Sequence, residues 1–276
     1  MPTPRRTFLK QSSLLAAAGA LPARWVSAAE LPRNRKLKLR YAVASDLHFG
    51  HPGTANDKLA GDLVSWIRRE QQGKGLDAFF INGDVTHDQP SHLTDFRDRY
   101  LSQLELPCYC GKGNHDYVDG RTDSPTESWE KVWGYPANHS FTLKDFAFIM
   151  ADTSASHDFR SWLAADRAWL AAQLAKHREA PAVFLLIHIA QREEGVEGWP
   201  RCGVRKKEAA KGKAVMDLIE STPNEKAIFH GHNHDETGVR VSGEKRYFFT
   251  SRTGGLWGAA RGYRIVEIDE QHRMIT

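Results

Sequence analysis

The chain has 276 residues, 41% apolar and 26% charged, enough apolar material for one sizeable core and far from the composition of a disordered polymer. The net charge of +4 is not a nucleic-acid signal, because Arg5, Arg6, Lys10 and Arg24 all fall in residues 1–29, which hold no acidic side chain; taking these four from the 38 Lys and Arg leaves 34 basic against 34 acidic groups in the rest. A neutral body gives a polyanion little general attraction, and no apolar run after the N-terminus is long enough to span a bilayer.

The chain opens with Arg5-Arg6-Thr7-Phe8-Leu9-Lys10, a mostly apolar stretch over residues 11–20, and small residues at Val26-Ser27-Ala28-Ala29. Basic, apolar, small is the order of a secretory signal. The paired arginines before Phe-Leu-Lys resemble the twin-arginine export signal, with Pro4 where that family usually has Ser or Thr. The resemblance implies a leader over residues 1–29, cleaved near Ala28 or Ala29. It implies transfer of the folded protein by the twin-arginine export machinery, and a periplasmic or secreted product. The basic patch at residues 33–40 reads as a solvated lead-in to the first strand.

After the leader, strand and helix patterns alternate. Strands are expected over residues 39–45, 77–81 and 106–110, with helices over 56–70, 94–104 and 124–133 between and after them. A hairpin over 140–143 and 146–151 follows, then a helix over 164–177, a buried strand over 182–187, and a helix over 208–220. Strands over 226–229, 237–241, 247–250 and 263–268 finish the chain. No repeat or linker divides it. The βαβαβ start followed by hairpins and helices predicts an α/β fold with mixed sheets.

Polar clusters recur just past strand ends, where open α/β sheets place their ligand sites. They are Asp46-Leu47-His48, Gly83-Asp84, Gly113-Asn114-His115-Asp116, His188 and Gly231-His232-Asn233-His234. Any one alone reads as a turn or a buried structural side chain; all five together point to chemistry. Carboxylates, imidazoles and an amide oxygen suit zinc, manganese or iron. No cysteine joins the set, so it is not a thiolate zinc site. Asp46, His48, Asp84, Asn114, His188, His232 and His234 are too many ligands for one tetrahedral ion and about right for two.

These five blocks resemble the calcineurin-like metallophosphoesterase superfamily, and they cover residues 46–234. The resemblance implies a four-layer α/β/β/α sandwich of two mixed sheets over residues 37–270. It implies two divalent metal ions, one held by Asp46, His48 and His234, the other by Asn114, His188 and His232, with Asp84 bridging them. His115 is implied as proton donor or transition-state stabiliser. The implied activity is hydrolysis of a small phosphomonoester or phosphodiester by two-metal activation of water. The rival reading is a non-catalytic scaffold or metal-binding protein on the same fold, which would be expected to lack ligands or His115.

Other residues stay open between two roles. Asp116 either orients the His115 imidazole or caps a turn. His51, His87 and His92 could reach the cleft, and His230 belongs behind it or in the core. Arg192, Trp199, Arg201 and Arg205 either contact substrate or line a solvated loop. The run Ser251-Arg252-Thr253-Gly254-Gly255-Leu256-Trp257-Gly258 could approach the active face. Cys108, Cys110 and Cys202 are odd in number; they are buried thiols, or one of the first two pairs with Cys202.

Overall fold

The computed structural model describes residues 23–32, 34–89, 91–116, 125–154, 162–193, 203–243, 245–255, 258 and 260–276. The paired arginines, Trp199, Arg201 and Cys202 lie outside these residues.

The elements run β1 (Arg24–Trp25), β2 (Leu37–Ala44), α1 (Asn56–Gly73), β3 (Ala78–Asn82), α2 (Ser91–Arg99), β4 (Cys108–Gly111), α3 (Pro125–Trp133), β5 (His139–Leu143), β6 (Phe146–Met150), α4 (Arg167–Lys176), β7 (Val183–Leu186), β8 (Ala190–Glu193), β9 (Gly203–Val204), α5 (Ala209–Ser221), β10 (Glu225–His230), β11 (Gly238–Ser242), β12 (Lys245–Phe249), β13 (Arg264–Asp269) and β14 (Arg273–Ile275). One sheet has the order β1-β14-β13-β2-β3-β4, a second β11-β12-β10-β7-β6-β5, and β8 pairs with β9 apart from both. Both large sheets are mixed: β2, β3 and β4 are parallel beside antiparallel β13, and β6, β7, β10 and β12 are parallel between antiparallel β5 and β11.

Three apolar clusters separate four layers. Alternation along β2 explains how. Leu39, Tyr41 and Val43 face the second sheet, where they meet Phe148, Phe184 and Phe229. Ala42 and Ala44 face the helices, where Leu63, Val64 and Ile67 of α1 and Phe96 of α2 cover them. On the far side, Ile149, Leu185 and Ile228 pack under Leu170 of α4 and Val215 of α5. Period-2 strands buried on both faces need exactly such cover on each side, so the α/β/β/α sandwich follows. Tyr41 lies edge-on to Phe80, Phe148 and Phe184 with ring centroids 5.2–5.5 Å apart.

The expected elements are present with ends shifted by a few residues. The expected helix over 94–104 is instead α2 followed by a 3₁₀ turn over Leu101–Gln103. Asp166 caps α4 by accepting the Ala168 and Trp169 N–H groups. Four short strands, β1, β8, β9 and β14, escape sequence patterning. Within the first sheet, β14 pairs with β13 and β1 with β14, so the sheet runs past both limits of residues 37–270. Ala23 is buried, Trp25 lies 5.1 Å from Phe248, and the Ala23 N–H donates to the Pro181 carbonyl. A cut at Ala28 or Ala29 would remove this edge strand. Cys108 and Cys110 are free thiols that both face the α1–α3 side of the sheet.

Candidate metal centre

The strands β2, β3, β4, β7 and β10 end at one edge of the sandwich, and each of the five polar clusters occupies the turn beyond one of them. Those turns are tightly bent. Asp46, His48, Asp84 and His232 have φ of 55°, 51°, 48° and 70°, a left-handed conformation that costs a side-chain-bearing residue about 1–2 kcal/mol and tends to collect at functional sites. Hydrogen bonds between turns hold it: Asp46 N–H donates to Gly83 O, His48 N–H to Asp84 O, and Gly231 N–H to His188 O, at 3.1, 2.9 and 3.0 Å. Asn82 ties the sheets together by donating its amide to Phe229 O at 2.8 Å. Two glycines permit the crowding. A Cβ on Gly113 would stand 2.1 Å from the Asp84 nitrogen, and one on Gly231 would stand 1.9 Å from Ser45 Oγ and 2.5 Å from Asp46 Oδ2.

The expected Asp and His ligands fall into two groups of atoms, each within 4.8 Å: Asp46, His48, Asp84 and His234 in one, Asp84, His188 and His232 in the other. Asp84 belongs to both. Asn114 is buried in the turn between Gly113 and His115, whose N–H donates to Asp84 Oδ1 at 2.8 Å. His48 Nε2 lies 3.0 Å from His234 Nε2 and 3.5 Å from Asp84 Oδ2; His234 Nε2 lies 3.2 Å from Asp46 Oδ1, and His188 Nε2 lies 3.1 Å from Asp84 Oδ2. Ligand atoms on one ion with bonds near ~2.1 Å sit about 3.0–3.4 Å apart in octahedral or tetrahedral geometry. The spacing, the shared carboxylate and the absence of sulfur all fit a pair of divalent cations.

Charge argues the same way. Burial raises the pKa of Asp46, but His234 and His188 outweigh it and hold the carboxyl down at about 2. Burial likewise opposes charge on His188, yet the Asp84 and Asp46 carboxylates lift it to about 10. Two buried carboxylates therefore demand compensating positive charge, which a proton on His188 supplies here and a cation would supply better. Burial holds His48 well below the usual histidine value and His232 down at about 3, leaving neutral imidazoles with a lone pair to donate. His188 Nδ1 donates to the Asn82 carbonyl at 2.7 Å, the device that fixes a ligating tautomer. Sequence reading had no signal for Asn82 beyond its place at a strand end.

His115 lines the cleft beside His48 and His234. Its Nδ1 meets Asp88 Oδ1 at 2.8 Å. Burial opposes charge on His115, but Asp84 and the Asp88 hydrogen bond prevail and raise its pKa above the usual value. The expected orienting role of Asp116 is corrected. Its buried carboxylate accepts the N–H groups of Val85, Thr86 and Gly113 at 3.2, 2.8 and 2.9 Å, and the Thr86 hydroxyl at 3.2 Å. Burial and the nearby Asp84 charge push its pKa to about 6 despite those donors. Asp116 braces the turns after β3 and β4, and Asp88, 27 residues back in the chain, holds the imidazole.

The cleft has a volume of about 250 Å³ and is lined by His48, Asp84, His115, Trp162, His232, Asn233, His234 and Asp235. Trp162, which sequence reading passed over, stands edge-on to His232 at 4.4 Å, with the Arg205 guanidinium 3.4 Å from its ring centroid. Of the residues left open, His87 reaches the site and His51 lies against it, tilted, at 4.1 Å. His92 packs against Phe49, and Arg192 pairs with Glu220 at 3.8 Å. His230 is buried behind the centre, its Nδ1 donating to Ile187 O. Of the 251–258 run, Leu256 and Trp257 lie outside the described residues, while Thr253 N–H donates to Ser45 O and Gly254 N–H to Asp46 O behind the ligands.

Known proteins are similar to this chain. A glycerophosphodiester phosphodiesterase, GpdQ, of Enterobacter lignolyticus (strain SCF1) is 25% identical over 208 residues, 71% of either chain. The crystal structure of a dimetal phosphatase from Danio rerio superposes with a TM-score of 0.61 at 12% identity, covering 85% of this chain and 94% of that one. A putative 5'-nucleotidase from Staphylococcus aureus superposes at 0.53 with 15% identity, over 86% of this chain and 52% of that one. At these identities the two structures speak for the fold. The model of the calcineurin-like phosphoesterase family matches residues 39–236, the span that contains all five turns, so the chain belongs to the calcineurin-like phosphoesterases and is a hydrolase of phosphoric esters.

Proposed function

We propose that this hydrolase cleaves a small phosphodiester, with phosphomonoesters as the second substrate class, at a centre of two divalent ions (zinc, manganese or iron). The observation that carries the reading is Asp84, whose carboxylate belongs to both groups of ligand atoms. Asp46, His48 and His234 would hold one ion, Asn114, His188 and His232 the other, and Asp84 both. When bound, such a pair supplies charge stabilisation for the phosphoryl group and activates water.

The chain's own groups do the rest. The strained, cross-linked turns keep the ligands in place before substrate arrives. His115 projects into the cleft from a half-buried position, and with its Nδ1 proton on Asp88 the doubly protonated ring presents Nε2–H to a departing alkoxide. Trp162, pinned by Arg205, makes one fixed wall. The GpdQ relative, named a phosphodiesterase, supports the diester.

The N-terminal twin-arginine resemblance supports a periplasmic or secreted location, and among the described residues no helix is long and apolar enough to cross a membrane. The test is a panel of glycerophosphodiester, cyclic-nucleotide, monoester and pyrophosphate substrates against protein loaded with one defined metal at a time. Diester hydrolysis at least tenfold above monoester hydrolysis is expected. Stoichiometric metal uptake with no turnover on any ester would return the protein to the scaffold reading.

A further inference from the structure

His87 has no place in the ligand set, yet it touches the centre. Its Nδ1 lies 3.1 Å from Nδ1 of His48. On its other side, Nε2 lies 3.5 Å from Asp88 Oδ2, while Asp88 Oδ1 takes His115 Nδ1 at 2.8 Å. The ring is held on two sides: His115 stacks on it with centroids 4.7 Å apart and planes 14° apart, and His51 lies 4.1 Å away, tilted by 53°.

His48 turns Nε2 toward Asp84 and His234. To ligate through Nε2 the imidazole must carry its proton on Nδ1. That proton then points at His87 Nδ1, which must be the bare nitrogen of its ring, so the His87 proton sits on Nε2 and faces Asp88. The remaining carboxylate oxygen receives the Nδ1 proton of His115. Hydrogen bonds join His48 to His87 and His115 to Asp88, and His87 Nε2 turns toward Asp88 at 3.5 Å; this arrangement leaves Nε2 of His48 bare and Nε2 of His115 able to carry a proton.

We propose that His87 is a positioning residue, which by accepting the Nδ1 proton of His48 fixes the ligating tautomer of that histidine and links it through Asp88 to the imidazole of His115. This rests on the metal-centre reading above. The nitrogens of His48, His87 and His115 also lie within 4.8 Å of one another, which by itself resembles a third cation site. However, a neutral His48 that ligates through Nε2 carries its proton on Nδ1, the nitrogen facing His87, and cannot ligate a further ion there.

The test uses His87→Leu, which removes the acceptor, and His87→Asn, whose amide oxygen can take the place of Nδ1. Zinc and manganese are titrated calorimetrically into metal-stripped wild type and both variants, with thermal melts of the stripped proteins alongside. His87→Leu should weaken one of the two sites by about 10–100-fold, the usual loss when a ligand's outer partner is removed, with the melt little changed. His87→Asn should recover most of the affinity. Nitrogen-15 spectra of the stripped wild type should show the His48 proton on Nδ1.

Equal affinity in His87→Leu, no recovery in His87→Asn, or a His48 proton on Nε2 each overturns the proposal. So does a third equivalent of metal lost with His87. Should His87→Leu fail to fold, the wild-type spectrum decides. Wild type that binds no metal ends the metal-centre reading itself, whereas normal wild-type binding with an indifferent His87→Leu ends only the role of His87.

Discussion

Replacing Asp116 separates two accounts of a residue that stands next to the proton donor. Its oxygens accept three backbone N–H groups and one hydroxyl inside the protein. Asp116→Ala leaves Val85, Thr86 and Gly113 with buried donors, each costing about 1–3 kcal/mol when unsatisfied. Water entering the vacated space offsets part of this, so the expected loss is roughly 3–6 kcal/mol, a large fraction of the ~5–15 kcal/mol that keeps a typical protein folded. Asp116→Asn is not a mimic, because both oxygens accept and an amide must turn its NH₂ toward an N–H; about 2–3 kcal/mol is expected. Urea denaturation of the metal-free proteins gives the stabilities. Turnover per bound metal, measured where each variant is fully folded, gives the chemistry. The structural role predicts a large drop in midpoint and near-normal turnover in the folded, metal-loaded fraction. A stability within about 0.5 kcal/mol of wild type, together with a hundredfold slower fully metallated enzyme, would refute the brace and restore Asp116 as the group that orients His115.

Asp84→Ala should abolish turnover and reduce bound metal below one ion per chain by elemental analysis, since one carboxylate serves both groups; wild type active after thorough metal stripping would contradict this. His115→Asn should retain metal and lose roughly 10²–10⁴ in rate on alkyl esters, with a smaller loss on nitrophenyl esters, whose leaving group needs no proton. Asp88→Asn should reproduce part of that pattern, and equal losses on both ester types would instead assign His115 to charge stabilisation. His230 is held down at about 4, by burial first, so it resists a proton that the unfolded chain accepts below about 6.5. Stability should therefore be whole above pH ~6.5 and fall by about 3 kcal/mol toward pH ~4. His230→Leu should flatten that part of the urea-midpoint profile of metal-free protein, and a wild-type-minus-variant difference that is constant with pH would remove it. Finally, replacing Arg5 and Arg6 by lysine should retain the protein in the cytoplasm; normal export of the double variant, read by cell fractionation, would reject the twin-arginine signal.

Much of this protein is local, and the local part is visible in the chain. Strand ends carry their polar clusters with them, so Asp46, Asp84, Asn114, His188 and His232 could be found one strand at a time. Apolar runs buried on both faces announce sheets covered on both sides. Tertiary structure decided what depends on which strand ends become neighbours. Asp116 touches His115 in sequence but spends its carboxylate on the turn after β3, because the Gly113 and Thr86 amides converge there; Asp88 reaches the imidazole because its own turn folds over the same edge. Trp162 and His87 carry no motif, and only the order of strands within each sheet sets one against His232 and the other against His48. The strands β1 and β14 are too short to show alternation, and they form because an exposed sheet edge offers them partners. Sequence periodicity encodes which face of an element is buried, whereas contacts between turns far apart in the chain depend on the register and stacking of whole sheets, which no local pattern records.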